Sequence, residues 1–275
     1  MRHGPGGFPD RRDEDALPGD GDARRRREDP RTRDYFYLRA KREGRRARSY
    51  FKLEEMDRKL HLLGGARVVV DLCCAPGAWL EYCVEVASKV QSLRERPPVI
   101  LGVDRVEVEP LEGASVLVAD LDDPNFLYVL RAAIKNALPG SRNAPGREGG
   151  LPGGAGDSDD RLVDVLLSDC SPHTRGGRSR KPKEVKRDAT RQARLFALSY
   201  EVARATLVPG GTFVGKLFEG ANFGHWKRKM WANFAKVTTF KPQASRKTSP
   251  EKYLVGRGFG QAPEPWKRRK GWKRG

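Results

Sequence analysis

The 275-residue chain has no run of 18 or more apolar residues, which excludes a membrane-spanning helix. Its basic first residues are followed by no apolar stretch, so a secreted protein is not expected. Paired metal spacing is lacking too. The four cysteines, Cys73, Cys74, Cys83 and Cys170, suit neither a zinc site nor a disulfide ladder, with two of them adjacent. The expectation is no metal, and reduced cysteines that serve as small core residues in a reducing compartment. Apolar content is unevenly distributed. Segments 1–33, 139–160 and 261–275 are nearly all Gly, Pro, Arg, Asp and Ser, which predicts a disordered mixed-charge tail, a disordered insertion and a basic tail around one domain at 34–260.

What the chain has is positive charge, 54 Lys and Arg against 36 Asp and Glu, giving a net +18. Three short segments hold almost all of it: 39–52 and 174–187 at +6 each, and 261–275 at +5. Clusters flanking an otherwise neutral domain point to a polyanion, and nucleic acid leads, because each neutralised phosphate releases counterions.

The pattern between those clusters is that of an α/β protein. Residues 45–63 carry Tyr50, Leu53, Met56, Leu60 and Leu63 at helical intervals. Apolar runs at 67–72, 99–103, 115–118 and 162–167 read as strands buried on both faces, with helix-length segments 79–90, 124–138 and 189–207 between them. Pro209-Gly-Gly211 reads as a tight turn into a strand at 212–218, and 236–240 and 252–256 are further strand candidates. The whole predicts a mostly parallel, doubly wound sheet of about seven strands with helices on both faces. Asp71, Asp104, Asp120 and Asp169 each close or follow an apolar run, which puts them on the carboxyl rim where such sheets bind ligands.

The loop Asp71-Leu-Cys-Cys-Ala-Pro-Gly77-Ala-Trp79 stands where the first strand turns into its helix. It is not Gly-x-Gly-x-x-Gly, and Pro76 interrupts the backbone donors a pyrophosphate needs, so a dinucleotide is disfavoured. A phosphate-free adenosine with a charged tail fits better. Gly77 permits close backbone approach, Asp104 accepts from ribose hydroxyls, and Asp120 reads an adenine amino group, which together suggest S-adenosylmethionine.

Five segments taken in order carry a resemblance: Gly44-Arg-Arg-Ala-Arg-Ser-Tyr-Phe-Lys52-Leu, the Asp71–Trp79 loop, Ser168-Asp-Cys-Ser-Pro172, Gly211-Thr-Phe-Val-Gly-Lys216, and Lys241-Pro-Gln-Ala-Ser-Arg-Lys-Thr-Ser-Pro-Glu251-Lys-Tyr-Leu-Val255. Together they resemble the FtsJ/RrmJ-type ribose 2'-O-methyltransferases, and most of all the methyltransferase domain of eukaryotic nucleolar pre-rRNA methyltransferases. The resemblance implies a Rossmann-like S-adenosylmethionine-dependent methyltransferase fold and a ribose of RNA as acceptor, most simply in rRNA or its precursor. A tRNA or mRNA-cap acceptor, or a non-catalytic assembly factor on the same fold, are the alternatives. It also implies a nuclear, nucleolar setting (the cytoplasm is the alternative) with ribosome-assembly proteins as possible partners. Its catalytic tetrad falls on Lys52, Asp169, Lys216 and Glu251, and its donor contacts on Gly77, Trp79, Asp104, Asp120 and Asp169. Ala78, Arg45 and the Cys170-Ser-Pro sequence depart from the usual family pattern.

The chemistry explains the residue types. A ribose hydroxyl is a poor nucleophile, so the enzyme aligns it with the methyl carbon and handles its proton. Lys216 on an apolar strand near Lys52 is pushed toward a neutral amine, while Asp169 favours the ammonium. Lys216 is expected to take or steer the proton, Asp169 to orient it, and Lys52 and Glu251 to position the ribose. Arg45, Arg46 and Arg48 beside Lys52, and Arg178, Arg180, Lys181 and Lys183 after Asp169, are the expected RNA contacts.

Overall fold

The computed structural model describes residues 34–90, 97–138, 161–172, 182–220, 222–246 and 248–261. The tail 1–33, the insertion 139–160, the basic segment beyond Gln261, and Arg178, Arg180 and Lys181 lie outside the described residues.

Two short helices precede the sheet: α1 (Tyr35–Arg42) and α2 (Tyr50–Leu60). Then follow β1 (Val68–Leu72), α3 (Ala78–Val90), β2 (Val99–Asp104), β3 (Ser115–Val118), α4 (Phe126–Ala137), β4 (Val163–Ser168), α5 (Pro182–Thr206), β5 (Leu207–Phe218), α6 (Phe223–Trp231), β6 (Phe234–Phe240) and β7 (Glu251–Phe259). The seven strands form one sheet in the order β3-β2-β1-β4-β5-β7-β6. Pairing is parallel from β3 to β5, and β7 runs antiparallel between β5 and β6. Strand order therefore reverses between β1 and β4, where a doubly wound sheet opens its ligand crevice.

Strand alternation assigns the two cores. Val68, Val70 and Leu72 pack with Phe126, Leu130, Phe196 and Tyr200 under α4 and α5. Val69 packs on the opposite face with Tyr50, Phe51, Leu53 and Met56 of α2 and Leu80 of α3. Both faces are covered, which is why these strands read as continuous apolar runs.

Several boundaries differ from the sequence expectation for physical reasons. The helix expected from residue 45 begins at Tyr50, since α1 ends at Gly44 in a left-handed turn (φ 66°) and residues 45–49 are used to reach α3. The helix expected at 189–207 starts seven residues earlier, at Pro182, a residue suited to a first helical turn, and stops at Thr206 because Leu207 already pairs with Val163. Pro209-Gly-Gly211 accordingly makes a register shift inside β5 rather than a turn before it.

Candidate active site

Four side chains converge from four separate elements. Lys52 sits in the first turn of α2, Asp169 directly after β4, Lys216 within β5 and Glu251 at the start of β7. Lys216 Nζ lies 2.9 Å from Asp169 Oδ1 and donates to the Asp169 carbonyl at 2.6 Å. Lys52 Nζ lies 2.9 Å from Glu251 Oε1 and 3.8 Å from Asp169 Oδ2. Both amines thus address the same carboxylate. Register explains how β7 takes part: Lys216 pairs with Tyr253, so Glu251, two residues away, leans from the same face of β7.

Lys52, Lys216 and Glu251 are all buried, and a fifth of the Asp169 side chain is exposed. Two ammonium groups and two carboxylates at these distances cancel in formal charge, which offsets the desolvation that an isolated buried ion would suffer. Burial pushes the Asp169 carboxyl upward, but Lys216, Lys52 and the Tyr253 hydroxyl outweigh it and hold the group below its ordinary value of 3.8. Tyr253 donates to Asp169 Oδ1 at 2.6 Å, and its own hydroxyl is raised well above the ordinary value by burial and by the adjoining Asp169 and Glu251 charges.

Beside this cluster, at the carboxyl ends of β1, β2, β3 and β4, opens a cavity of about 770 Å³, within the range of small-molecule sites. Asp104, Asp120, Asp122 and Asp169 line it, with Leu72, Val103, Leu121, Phe126 and Leu195 as apolar wall. Asp104 is fixed by its loop, accepting from the backbone N–H of Ala75 at 2.9 Å and of Val106 at 3.2 Å. Asp71 is not on this rim. It shares the Val69 face of β1, toward α3, is 1% exposed, and its carboxyl is pushed well above the ordinary value by burial first and then by the charges of Asp169 and Asp104. Its Oδ2 is buried with no hydrogen-bond partner among the described residues. Arg105, Arg191 and Arg194 line the cavity as well, and carboxylates and guanidinium groups around a partly apolar cavity suit a ligand that carries charges of both signs beside an aromatic group.

The FtsJ-like methyltransferase model matches residues 45–259. The chain belongs to that family. Among its relatives are ribosomal RNA large subunit methyltransferases E, from Bdellovibrio bacteriovorus at 35% identity, covering 82% of this chain and 95% of that one, and from Syntrophobacter fumaroxidans at 33%, covering 82% and 94%. An archaeal relative of the same name, from Methanosarcina acetivorans, is 32% identical over 84% of this chain and 70% of its own. A solved structure described as a ribosomal RNA methyltransferase from Plasmodium falciparum superposes with a TM-score of 0.57, covering 78% of this chain and 98% of that one; at 21% identity it shows the fold alone.

Within this FtsJ-like fold, three groups of expected residues are placed differently from the sequence reading. The three arginines of the 45–48 segment are engaged internally. Arg45 Nη1 reaches Glu85 at 2.8 Å and Glu81 at 3.3 Å, Arg46 donates to the carbonyls of Glu109, Pro110 and Pro76, and Arg48 pairs with Asp34 and donates to the Ala244 carbonyl. Gly77 and Trp79 do not line the cavity. Gly77 has φ 98°, and a Cβ there would meet Arg46 Nη1 at 2.9 Å, so an arginine rather than a ligand fills the space a side chain would take. Trp79 is buried against Tyr253 with its indole N–H on the Ser49 carbonyl, because the first turn of α3 faces α2 rather than the crevice. The cysteine expectation is corrected as well: Cys73 and Cys170 form a disulfide, while Cys74 and Cys83 are free and buried.

Two contributors went unremarked in the sequence. Tyr253 was signalled by strand alternation, being two residues after Glu251. Gln192 lies on the apolar stripe of α5 with Phe196, Ser199, Tyr200 and Ala203, and its Nε2 donates to the carbonyls of Lys216 at 2.8 Å and Cys170 at 3.1 Å. Trp226 packs on Phe196 and Tyr200.

Proposed function

We propose that this chain transfers a methyl group from S-adenosylmethionine to a ribose 2'-hydroxyl of ribosomal RNA or its precursor. The observation that carries the reading is the convergence of Lys52, Asp169, Lys216 and Glu251 on one point at the end of a carboxylate-lined cavity. The names of the relatives support ribosomal RNA as the acceptor.

The cavity residues fit the donor by chemistry: acids for a cation, Asp104 and Asp120 at the carboxyl ends of the neighbouring strands β2 and β3 for hydroxyl and amino groups, and Phe126 and Leu121 for an aromatic base. Bound there, the donor supplies an electrophilic methyl group. The remaining work falls to the tetrad. Glu251 holds the Lys52 ammonium, and together they fix the ribose. Asp169 holds Lys216 through its carboxylate and its carbonyl, so that Nζ keeps one orientation: as an ammonium it steers the hydroxyl, and after giving a proton to solvent the neutral amine takes the hydroxyl proton. Proton handling and alignment contribute separately to rate, and a group placed this tightly contributes to both.

Replacing Lys216 by Ala tests the reading. Ribose methylation mapped across ribosomal RNA is expected to fall by about 100-fold or more, with donor affinity by calorimetry retained. Transfer at a nearly unchanged rate refutes the role.

A further inference from the structure

The internal partners of Arg45, Arg46 and Arg48 leave a question that composition alone hides: which of the many cations face a polyanion at the site. On the α2 flank Arg39, Arg45 and Arg48 pair with carboxylates, Arg39 with Glu43 at 2.7 Å, and Arg46 is tied to backbone carbonyls. The opposite flank, formed by α5, differs. Lys183, Arg187, Arg191 and Arg194 recur at intervals of four, four and three residues, which places them within about 80° of one helical face. All four are exposed. Lys183, Arg187 and Arg191 have no ion-pair partner among the described residues, and Arg194 makes one outward pair with Asp122, its side chain 70% exposed. The acids of this half of the helix, Glu184 and Asp188, lie off that face.

The stripe is also tied to the chemistry. Arg191 and Arg194 line the cavity that Asp169 closes. From the inner side of the same turns, Gln192 bonds the carbonyls of Cys170 and Lys216, so the helix bearing the stripe is fixed to the two strands that carry Asp169 and Lys216. From Lys183 to Arg194 the cations step along about 16 Å of helix, roughly one per turn.

We propose that this α5 face is the track for the phosphodiester backbone of the acceptor RNA, holding the strand as its target ribose enters between Lys52 and Lys216. The proposal rests on the RNA reading above and moves the approach of the strand from the α2 flank to the α5 flank.

The test uses the full chain with Lys183, Arg187 and Arg191 replaced together by Gln, and a single-stranded oligonucleotide of ribosomal RNA sequence as probe. Affinity is expected to fall tenfold or more near physiological salt, and the slope of log affinity against log salt to drop by about two. Arg45→Gln, measured alongside, is expected to keep the parent salt slope. A triple variant with the parent affinity and slope, or a slope that falls in Arg45→Gln and not in the triple variant, overturns the assignment. Binding is read without turnover, so the two proposals fail separately. RNA held by the stripe with no methyl transferred supports the surface and sinks the activity, whereas full affinity and transfer in the triple variant does the reverse.

Discussion

A single carboxylate, Asp169, sets the character of the site, because it accepts from Lys216 and Tyr253 on one oxygen and faces Lys52 with the other. Its folded-state value lies below the ordinary one, so it stabilises the folded protein above about pH 4 and that contribution fades as pH falls toward the lowered value. Tyr253→Phe keeps the ring against Trp79 and deletes only the hydroxyl. With burial then less opposed, the Asp169 carboxyl is expected to move upward, and the acid limb of the transfer rate to shift to higher pH, at a stability cost of about 2 kcal/mol for a hydrogen bond to a charged group. A pH–rate profile superimposable on the parent's contradicts this. Of the site at this scale, the tetrad was legible in the sequence because its members lie in five ordered motifs, and Tyr253 was legible only once its strand register was known. Asp71 misled, since an acid at the end of an apolar run looks the same whether it faces a crevice or the underside of a helix.

At the scale of elements, the signal that failed was charge. Seven basic side chains in 39–52 read as a nucleic-acid patch, but the partners of Arg45 and Arg46, Glu81 and Glu85 on α3 and the carbonyls of 109 and 110, are brought in by the fold from far along the chain. Arg46 ties the loop after β1 to the loop after β2, the two loops that shape the cavity near Asp104. Arg46→Ala therefore belongs to donor binding: the donor dissociation constant is expected to rise about tenfold, or 1.4 kcal/mol, with the salt dependence of RNA binding unchanged. Titration calorimetry for the donor and a salt series for RNA separate these outcomes, and the opposite pattern restores Arg46 to the RNA surface. Helix α1 and helix α6 escaped the periodicity reading because each is under ten residues, too short for an apolar stripe to repeat.

Across the whole molecule, strand order follows from chain order for β1 to β5, and the apolar runs ending in acids made that much legible. The placement of β7 between β5 and β6 was not, since both last strands carry the same kind of sequence and only their pairing sends the later one inward. The same long-range pairing explains the cysteines. Leu72 stands opposite Ser168 across the β1–β4 ladder, so Cys73 and Cys170, 97 residues apart in sequence, leave adjacent strand ends together and join. Spacing along the chain gave no hint of it. A bridge closing a loop of that length removes unfolded-state freedom worth about 5 kcal/mol, or roughly 10–20 °C in melting temperature for a domain of this size. Melting with and without reductant is expected to show that difference in the parent, and Cys170→Ala to melt at the lower temperature under both conditions. Equal melting of the parent in both, with all four cysteines open to alkylation after unfolding, shows instead that the pair stays reduced and that the segments after β1 and β4 are held together without the bridge.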